Sequence, residues 1–178
     1  MNRFIFFIPL LVILIFISTI TTILLKKVNT ETNTTQLNSM LVGNPFPKTK
    51  LSSLLSEEDF ILDDVIGKPF AVNFFSSWCA PCQAEAEILE ILSKSIRIYG
   101  VSYKDKKLDA LNFINTFGNP FEKIGIDTYG MSAIDWGVYG VPETFLINSQ
   151  GNVELRYAGP ITNEVLKNVI KPKLNELG

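Results

Sequence analysis

Cys79 and Cys82 are the only cysteines in the chain, and they stand in Trp78-Cys79-Ala80-Pro81-Cys82. The motif follows the apolar run Phe70-Ala71-Val72-Asn73-Phe74-Phe75 and leads into a helix-like stretch over 83–94. Strand, tight turn and helix in that order put the first sulfur where a helix begins. Unpaired backbone N–H groups and the positive end of the helix dipole meet there, and both favour a thiolate at Cys79 over the thiol. Two intervening residues bring Cys82 round one turn, within reach of a mixed disulfide at Cys79, which it would resolve with release of the partner. The expected chemistry is two-electron thiol–disulfide exchange. The competing readings are a structural disulfide and half of a zinc site. Zinc asks for about four N, O or S ligands, whereas this chain has no further cysteine and no histidine. A clasp across so short a loop would stabilise little.

Composition removes other chemistries. Without histidine there is no Cys-His or Ser-His nucleophilic pair and no His-ligated haem, so proton transfer falls to carboxylates, lysines, tyrosines or water. A net charge of −2 gives no basic field for nucleic acid. Asp63 and Asp64 are too few for a metal site, and no phosphate-, flavin- or nicotinamide-binding glycine pattern accompanies the cysteines. No cofactor and no metal is expected; the working redox unit is the cysteine pair.

The elements that position this pair occupy the last three quarters of the chain. Residues 4–25 carry no charge, and at ~1.5 Å per residue about 22 of them cover the ~30 Å hydrocarbon core of a bilayer. The run exceeds a signal peptide's apolar region and ends without a small-x-small cleavage site, so residues 1–27 read as an uncleaved membrane anchor. Arg3 on one side against Lys26 and Lys27 on the other leaves orientation undecided by flanking charge. Residues 28–41, rich in Asn, Thr, Ser and Gln, read as a flexible tether, and 42–178 as one folded domain. Within it the patterns predict strands over 46–51, 60–62, 70–75, 96–101, 123–127, 143–147 and 153–157. Helices are predicted over 83–94, 108–117, 131–137 and 165–177, the last interrupted or restarted around Pro172. The run 70–75, apolar on both faces except at Asn73, suits an interior strand. On the first of these helices Ala84, Ile88, Leu89, Ile91 and Leu92 form the apolar stripe, leaving Glu85, Glu87, Glu90 and Lys94 for solvent.

Phe74-Phe75-Ser76-Ser77-Trp78-Cys79-Ala80-Pro81-Cys82 resembles a thioredoxin-fold active site. The block Gly137-Val138-Tyr139-Gly140-Val141-Pro142-Glu143-Thr144 is more specific. With the amino-terminal anchor and Val42-Gly43-Asn44-Pro45-Phe46-Pro47, it resembles the membrane-tethered thioredoxin-like proteins of cytochrome c maturation, the CcmG/DsbE family, over nearly the whole chain. The resemblance implies an α/β thioredoxin-like fold, with a mixed central sheet flanked by helices and one transmembrane helix. It implies a single-pass protein of the inner membrane whose domain faces the periplasm. There it would reduce disulfides of apocytochrome c or of a maturation-complex partner, and a membrane thiol reductant would re-reduce it.

The same resemblance assigns roles. Pro142 is implied to be a cis-proline facing the cysteines, with the Val141 carbonyl and N–H free to pair with an extended substrate; the plain alternative is a trans proline at a strand start. Thioredoxins carry a buried aspartate where this chain has Asn73, which cannot take up a proton. Glu85, one turn beyond Cys82, is then the candidate catalytic base, against the alternative of a solvated helix-face charge. Trp78 is implied to shield the disulfide, the alternative being one more core aromatic. Glu143 either helps to recognise partners or is an exposed strand-end charge. Tyr99, Tyr103, Tyr129 and Trp136 read as core or groove wall. Two further functions stay open beside the maturation reductant: a general periplasmic thioredoxin-like reductant, and a non-catalytic apocytochrome-binding module whose cysteine pair is structural. A peroxide-reducing enzyme fits less well, since no isolated peroxidatic cysteine in a Thr-x-x-Cys setting is present.

Overall fold

The computed structural model describes residues 8–30 and 40–177. The chain divides into two units, residues 1–35 and 36–178. The described part of the first is one helix, α1 (Ile8–Thr30). Its described side chains, from Val12 to Ile23, are all exposed. The hydroxyls of Thr19, Thr21 and Thr22 donate to the carbonyls of Phe16, Ile17 and Ser18 in the same helix. Among the described residues no helix is long and apolar enough to cross a membrane. The run expected to span begins at Phe4, outside those residues, and side chains are described only for part of α1. The backbone stays helical to Thr30, past the anchor boundary expected at 27. Most of the expected tether lies outside the described residues.

The second unit is built on a mixed seven-stranded sheet in the order β2-β1-β5-β4-β3-β6-β7. The strands are β1 (Lys50–Ser53), β2 (Asp59–Ile61), β3 (Phe70–Phe75), β4 (Arg97–Tyr103), β5 (Lys123–Asp127), β6 (Glu143–Ile147) and β7 (Val153–Ala158). β3, β4 and β5 run parallel, while the remaining pairs are antiparallel. Helices α2 (Ala80–Ser93) and α3 (Lys107–Phe117) make the crossovers that parallel neighbours require. A short α4 (Met131–Asp135) precedes β6. The closing α5 is assembled from Asn163–Val165, a π-helical turn Leu166–Ile170 and Lys171–Leu177.

β3 is an interior strand, between β4 and β6, and all six of its residues are buried. Alternation sends Ala71, Asn73 and Phe75 to one face and Phe70, Val72 and Phe74 to the other. The first face carries α2, α3 and α5, whose Leu89, Phe113 and Ile170 join Phe75 and both cysteines in one core. The second carries an aromatic core in which Trp136 lies between Phe46, Phe74 and Phe145, with ring centroids 4.9–5.8 Å apart.

Two expectations change and one is decided. The strand predicted over 46–51 starts later, at Lys50, because Phe46 turns into the aromatic core and stacks on Trp136. Pro172 does not break the last helix but stands where regular α-helix restarts, at Lys171, one of the two outcomes expected there. The π-helical turn before it, closed by the Lys171 N–H on the Leu166 carbonyl, widens the backbone where a proline ring would otherwise crowd the preceding turn. On α2 the inward stripe is Cys82, Glu85, Ala86, Ile88, Leu89 and Leu92, which keeps Ile88, Leu89 and Leu92 as expected, turns Glu85 into the protein and leaves Ala84 exposed and Ile91 41% exposed.

Candidate redox site

The turn out of β3 delivers Cys79 to the N-cap position of α2, with extended backbone (φ −93°, ψ 104°). Ala80 and Pro81 form the first helical positions, and proline suits them because N–H groups there have no partner inside the helix. The Cys82 N–H donates to Cys79 Sγ at 3.2 Å, so the sulfur takes the place of the usual capping oxygen. That bond holds for a disulfide sulfur and strengthens when the sulfur is an anion. The two cysteines are joined as a disulfide, with their Cα atoms 5.3 Å apart. Both are buried, Cys79 at 4% and Cys82 at 1% exposure.

Across from the cysteines runs the segment before β6. The Val141–Pro142 peptide bond is cis, and the Val141 carbonyl lies 3.4 Å from Cys79 Sγ. A bridged sulfur has no proton to give that oxygen; the thiol of the reduced protein would donate to it. Glu143 stands at the start of β6, 2% exposed. Its Oε1 accepts the N–H groups of Tyr139 (2.8 Å) and Gly140 (3.3 Å), and its Oε2 accepts Arg156 Nε (2.8 Å). Arg156 Nη2 donates to the Gly137 carbonyl at 2.6 Å. The exposed-charge expectation for Glu143 is therefore overturned: the carboxylate lies inside and, with Arg156, ties loop 137–140 to β6 and β7.

Behind the cysteines, Glu85 is 1% exposed, which overturns its solvated-face alternative. Oε1 accepts Asn73 Nδ2 at 2.9 Å, and Oε2 accepts the Ile161 N–H at 2.8 Å. Asn73 Nδ2 also donates to Thr144 Oγ1 at 3.0 Å. Burial raises the Glu85 pKa from its ordinary 4.5 to about 7, against the opposing pull of the Ile161 and Asn73 hydrogen bonds. A cavity of about 10 Å³, the size of a single water, is bordered by Cys82, Glu85 and Asn73. Asn73 Oδ1 is buried without a hydrogen-bond partner.

Trp78 is 61% exposed. Its indole N–H donates to the Lys104 carbonyl at 3.3 Å and its ring leans towards Tyr103, so it forms the rim of the site and is not a core aromatic. Tyr99 and Trp136 are core residues as expected, but Tyr129 is 81% exposed and belongs to no core.

A redox pair at a helix N-terminus, a cis-proline opposite and a buried carboxylate behind are what a thiol exchanger needs. Comparison with known proteins identifies the family. The Redoxin family matches residues 41–170. The chain is 39% identical to the thiol:disulfide interchange protein DsbE of Tatumella citrea, over 99% of this chain and 96% of that protein. It is 37% identical to the protein of the same description from Escherichia coli strain K12, over 97% and 94%. The chain belongs to the DsbE-type thiol:disulfide interchange proteins. A solved structure described as a DsbE from Chlorobium tepidum superposes with a TM-score of 0.62 at 25% identity, covering 75% of this chain and 96% of the other. As a DsbE-type protein the chain is a thiol–disulfide oxidoreductase with a thioredoxin-like fold.

Sequence reasoning did not find Arg156, Thr144 or the Ile161 N–H. Arg156 carried a usable signal, since a charge inside the strand-like run 153–157 needs a buried partner. The Ile161 N–H carries no side-chain signal.

Proposed function

We propose that this DsbE-type protein is a membrane-anchored reductant of disulfides in the periplasm, serving c-type cytochrome maturation. The observation that carries the reading is the bridged pair Cys79–Cys82 at the start of α2, with the Val141 carbonyl on one side and the Glu85 carboxylate on the other. In the dithiol form, Cys79 thiolate attacks one sulfur of a substrate disulfide and forms a mixed disulfide, releasing the first substrate thiolate. Cys82 then loses its proton to Glu85, the two residues bordering the same water-sized cavity. The Cys82 thiolate attacks Cys79 Sγ, releases the second substrate thiolate and closes the Cys79–Cys82 bond. Two electrons pass from protein to substrate, and the bridged form described above is the product.

Val141 and Pro142 take the substrate backbone, Trp78 supplies an exposed ring beside it, and Glu143 acts through the loop it holds. Residues 4–25 serve as the anchor, a reading supported by the helical backbone from Ile8 onward, the exposed apolar side chains and the threonine hydroxyls satisfied within the helix. Anchoring would confine the domain beside membrane partners, among them the thiol reductant that restores the dithiol.

Trapping tests the reading. With Cys82→Ala, the mixed disulfide cannot be resolved, and the captured partner should be an apocytochrome c or a maturation protein, held through Cys79. Capture of many unrelated periplasmic proteins would replace the specific reductant with a general one. Full cytochrome assembly in cells carrying Cys79→Ala would replace both with a binding module.

A further inference from the structure

The turn that carries Cys79 lies between β3 and α2, and three of its consecutive residues are fastened to the last residue of β4 and the two that follow it. Ser76 Oγ donates to the Tyr103 carbonyl, and Trp78 Nε1 to the Lys104 carbonyl. Ser77 is held by a carboxylate: its N–H donates to Asp105 Oδ2 at 2.6 Å and its hydroxyl to Asp105 Oδ1 at 2.8 Å. Asp105 is 7% exposed and also accepts the Lys106 N–H at 2.9 Å and the Ser102 hydroxyl at 3.4 Å. Hydrogen bonds to an ionised oxygen are the stronger kind, so Ser77 is the most tightly held residue of the turn.

Asp105 immediately precedes the N-cap position of α3, the position at which an aspartate would ordinarily cap the helix. Yet the N-cap position of α3 is Lys106, which makes no side-chain capping bond, and Asp105 turns back to the redox turn. Lys104 beside it adopts φ 47°, the left-handed region that disfavours any residue with a Cβ. The backbone accepts that conformation, and the helix forgoes a cap, where the chain brings a carboxylate to Ser77.

We propose that Asp105 is a positioning residue for the nucleophile, fixing turn 76–78 so that Cys79 Sγ stays opposite the Cys82 N–H and accepts that bond as a thiolate. Without the carboxylate the Ser77 N–H loses its acceptor, the turn relaxes, and the sulfur drifts from the donor that stabilises its charge. The negative charge of Asp105 works the other way, opposing a nearby thiolate. Substitutions that separate acceptor geometry from charge therefore distinguish the two effects.

The assignment rests on Cys79 being the attacking sulfur. The reduced full-length protein, in detergent, is compared as native, Asp105→Asn, Asp105→Ala and Asp105→Glu. The measurements are the pH profile of iodoacetamide alkylation, with the modified cysteine identified by mass, and thermal unfolding. Asparagine keeps an acceptor for Ser77 and removes the charge, alanine removes both, and glutamate keeps the charge but displaces the oxygens by one methylene. D105A should titrate at higher pH than D105N and be alkylated about tenfold more slowly at neutral pH, the scale expected when a reacting group is slightly misplaced. D105E should also be slower than D105N, which keeps the comparison decisive if D105A does not fold. Equal titration and equal rates among the folded variants, whatever their melting temperatures, would overturn the proposal. Alkylation of Cys82 in place of Cys79 in the native protein would overturn the choice of nucleophile instead.

Discussion

Replacing Glu85 by glutamine should make this protein more stable at neutral pH. Below pH 4.5 the carboxyl group is neutral in the folded and the unfolded chain alike. Between 4.5 and about 7 the unfolded chain gives up the proton while the folded chain keeps it, so stability falls as pH rises through this window. At ~1.4 kcal/mol per pH unit the loss is about 3 kcal/mol, complete once the folded group ionises. Glutamine carries no such penalty. It must, however, point an amide NH₂ at one of two donors, Asn73 Nδ2 or the Ile161 N–H. Asn73 can absorb the mismatch, because its Oδ1 has no partner and turning the amide over offers that oxygen to the new donor. Urea unfolding of native protein and E85Q at intervals from pH 4.5 to 8 is the assay. The native curve should fall relative to the variant by about 3 kcal/mol across the window. Parallel curves would refute the reasoning, since they would mean that Glu85 binds its proton equally in both states. Functionally, the variant should hold its mixed disulfide longer at pH 7, because Cys82 loses the base beside it.

Asn73→Asp should sharpen the same pH dependence: a second carboxylate 2.9 Å from the first forces the pair to share a proton, and urea midpoints above pH 7 should fall well below native. Arg156→Leu removes the partner of a buried carboxylate, which costs about 3 kcal/mol in such pairs; the urea midpoint should drop, with much of the loss recovered when Glu143→Leu is added. Phe46→Ala opens the aromatic core beside Phe70 and Trp136 at a cost of about 3–5 kcal/mol, and should lower the melting temperature without altering the thiol titration of Cys79.

How much of this was legible follows from which signals are local. The run 70–75 is apolar on both faces and could only be an interior strand, and Trp78-Cys79-Ala80-Pro81-Cys82 carries its chemistry in its own spacing. The buried carboxylates were not legible in that way. On α2 a glutamate among Glu87, Glu90 and Lys94 reads as solvent face, and only the partners Asn73 and Ile161, distant in sequence, justify turning Glu85 inward. Glu143, just after a proline, reads as a strand-end charge, and nothing local marks Asp105.

Burial gives these three residues a common logic. Glu85 accepts the Ile161 N–H from the segment before α5, Asp105 the Ser77 N–H from the turn before Cys79, and Glu143 the Tyr139 and Gly140 N–H groups from the loop before Pro142. Glu85 and Asp105 reach their segments from distant parts of the chain, whereas Glu143 reaches back three and four residues and is itself held by Arg156 from β7. A buried carboxylate is costly to desolvate and stays only where several donors hold it; a loop N–H buried without an acceptor is costly as well. Pairing the two meets both demands at once. Burial of Glu85 and Asp105 depends on contacts distant in sequence, and that of Glu143 on Arg156 across the β6–β7 pair, so the sequence displays three ordinary surface charges where the folded protein buries three carboxylates beside its cysteine pair.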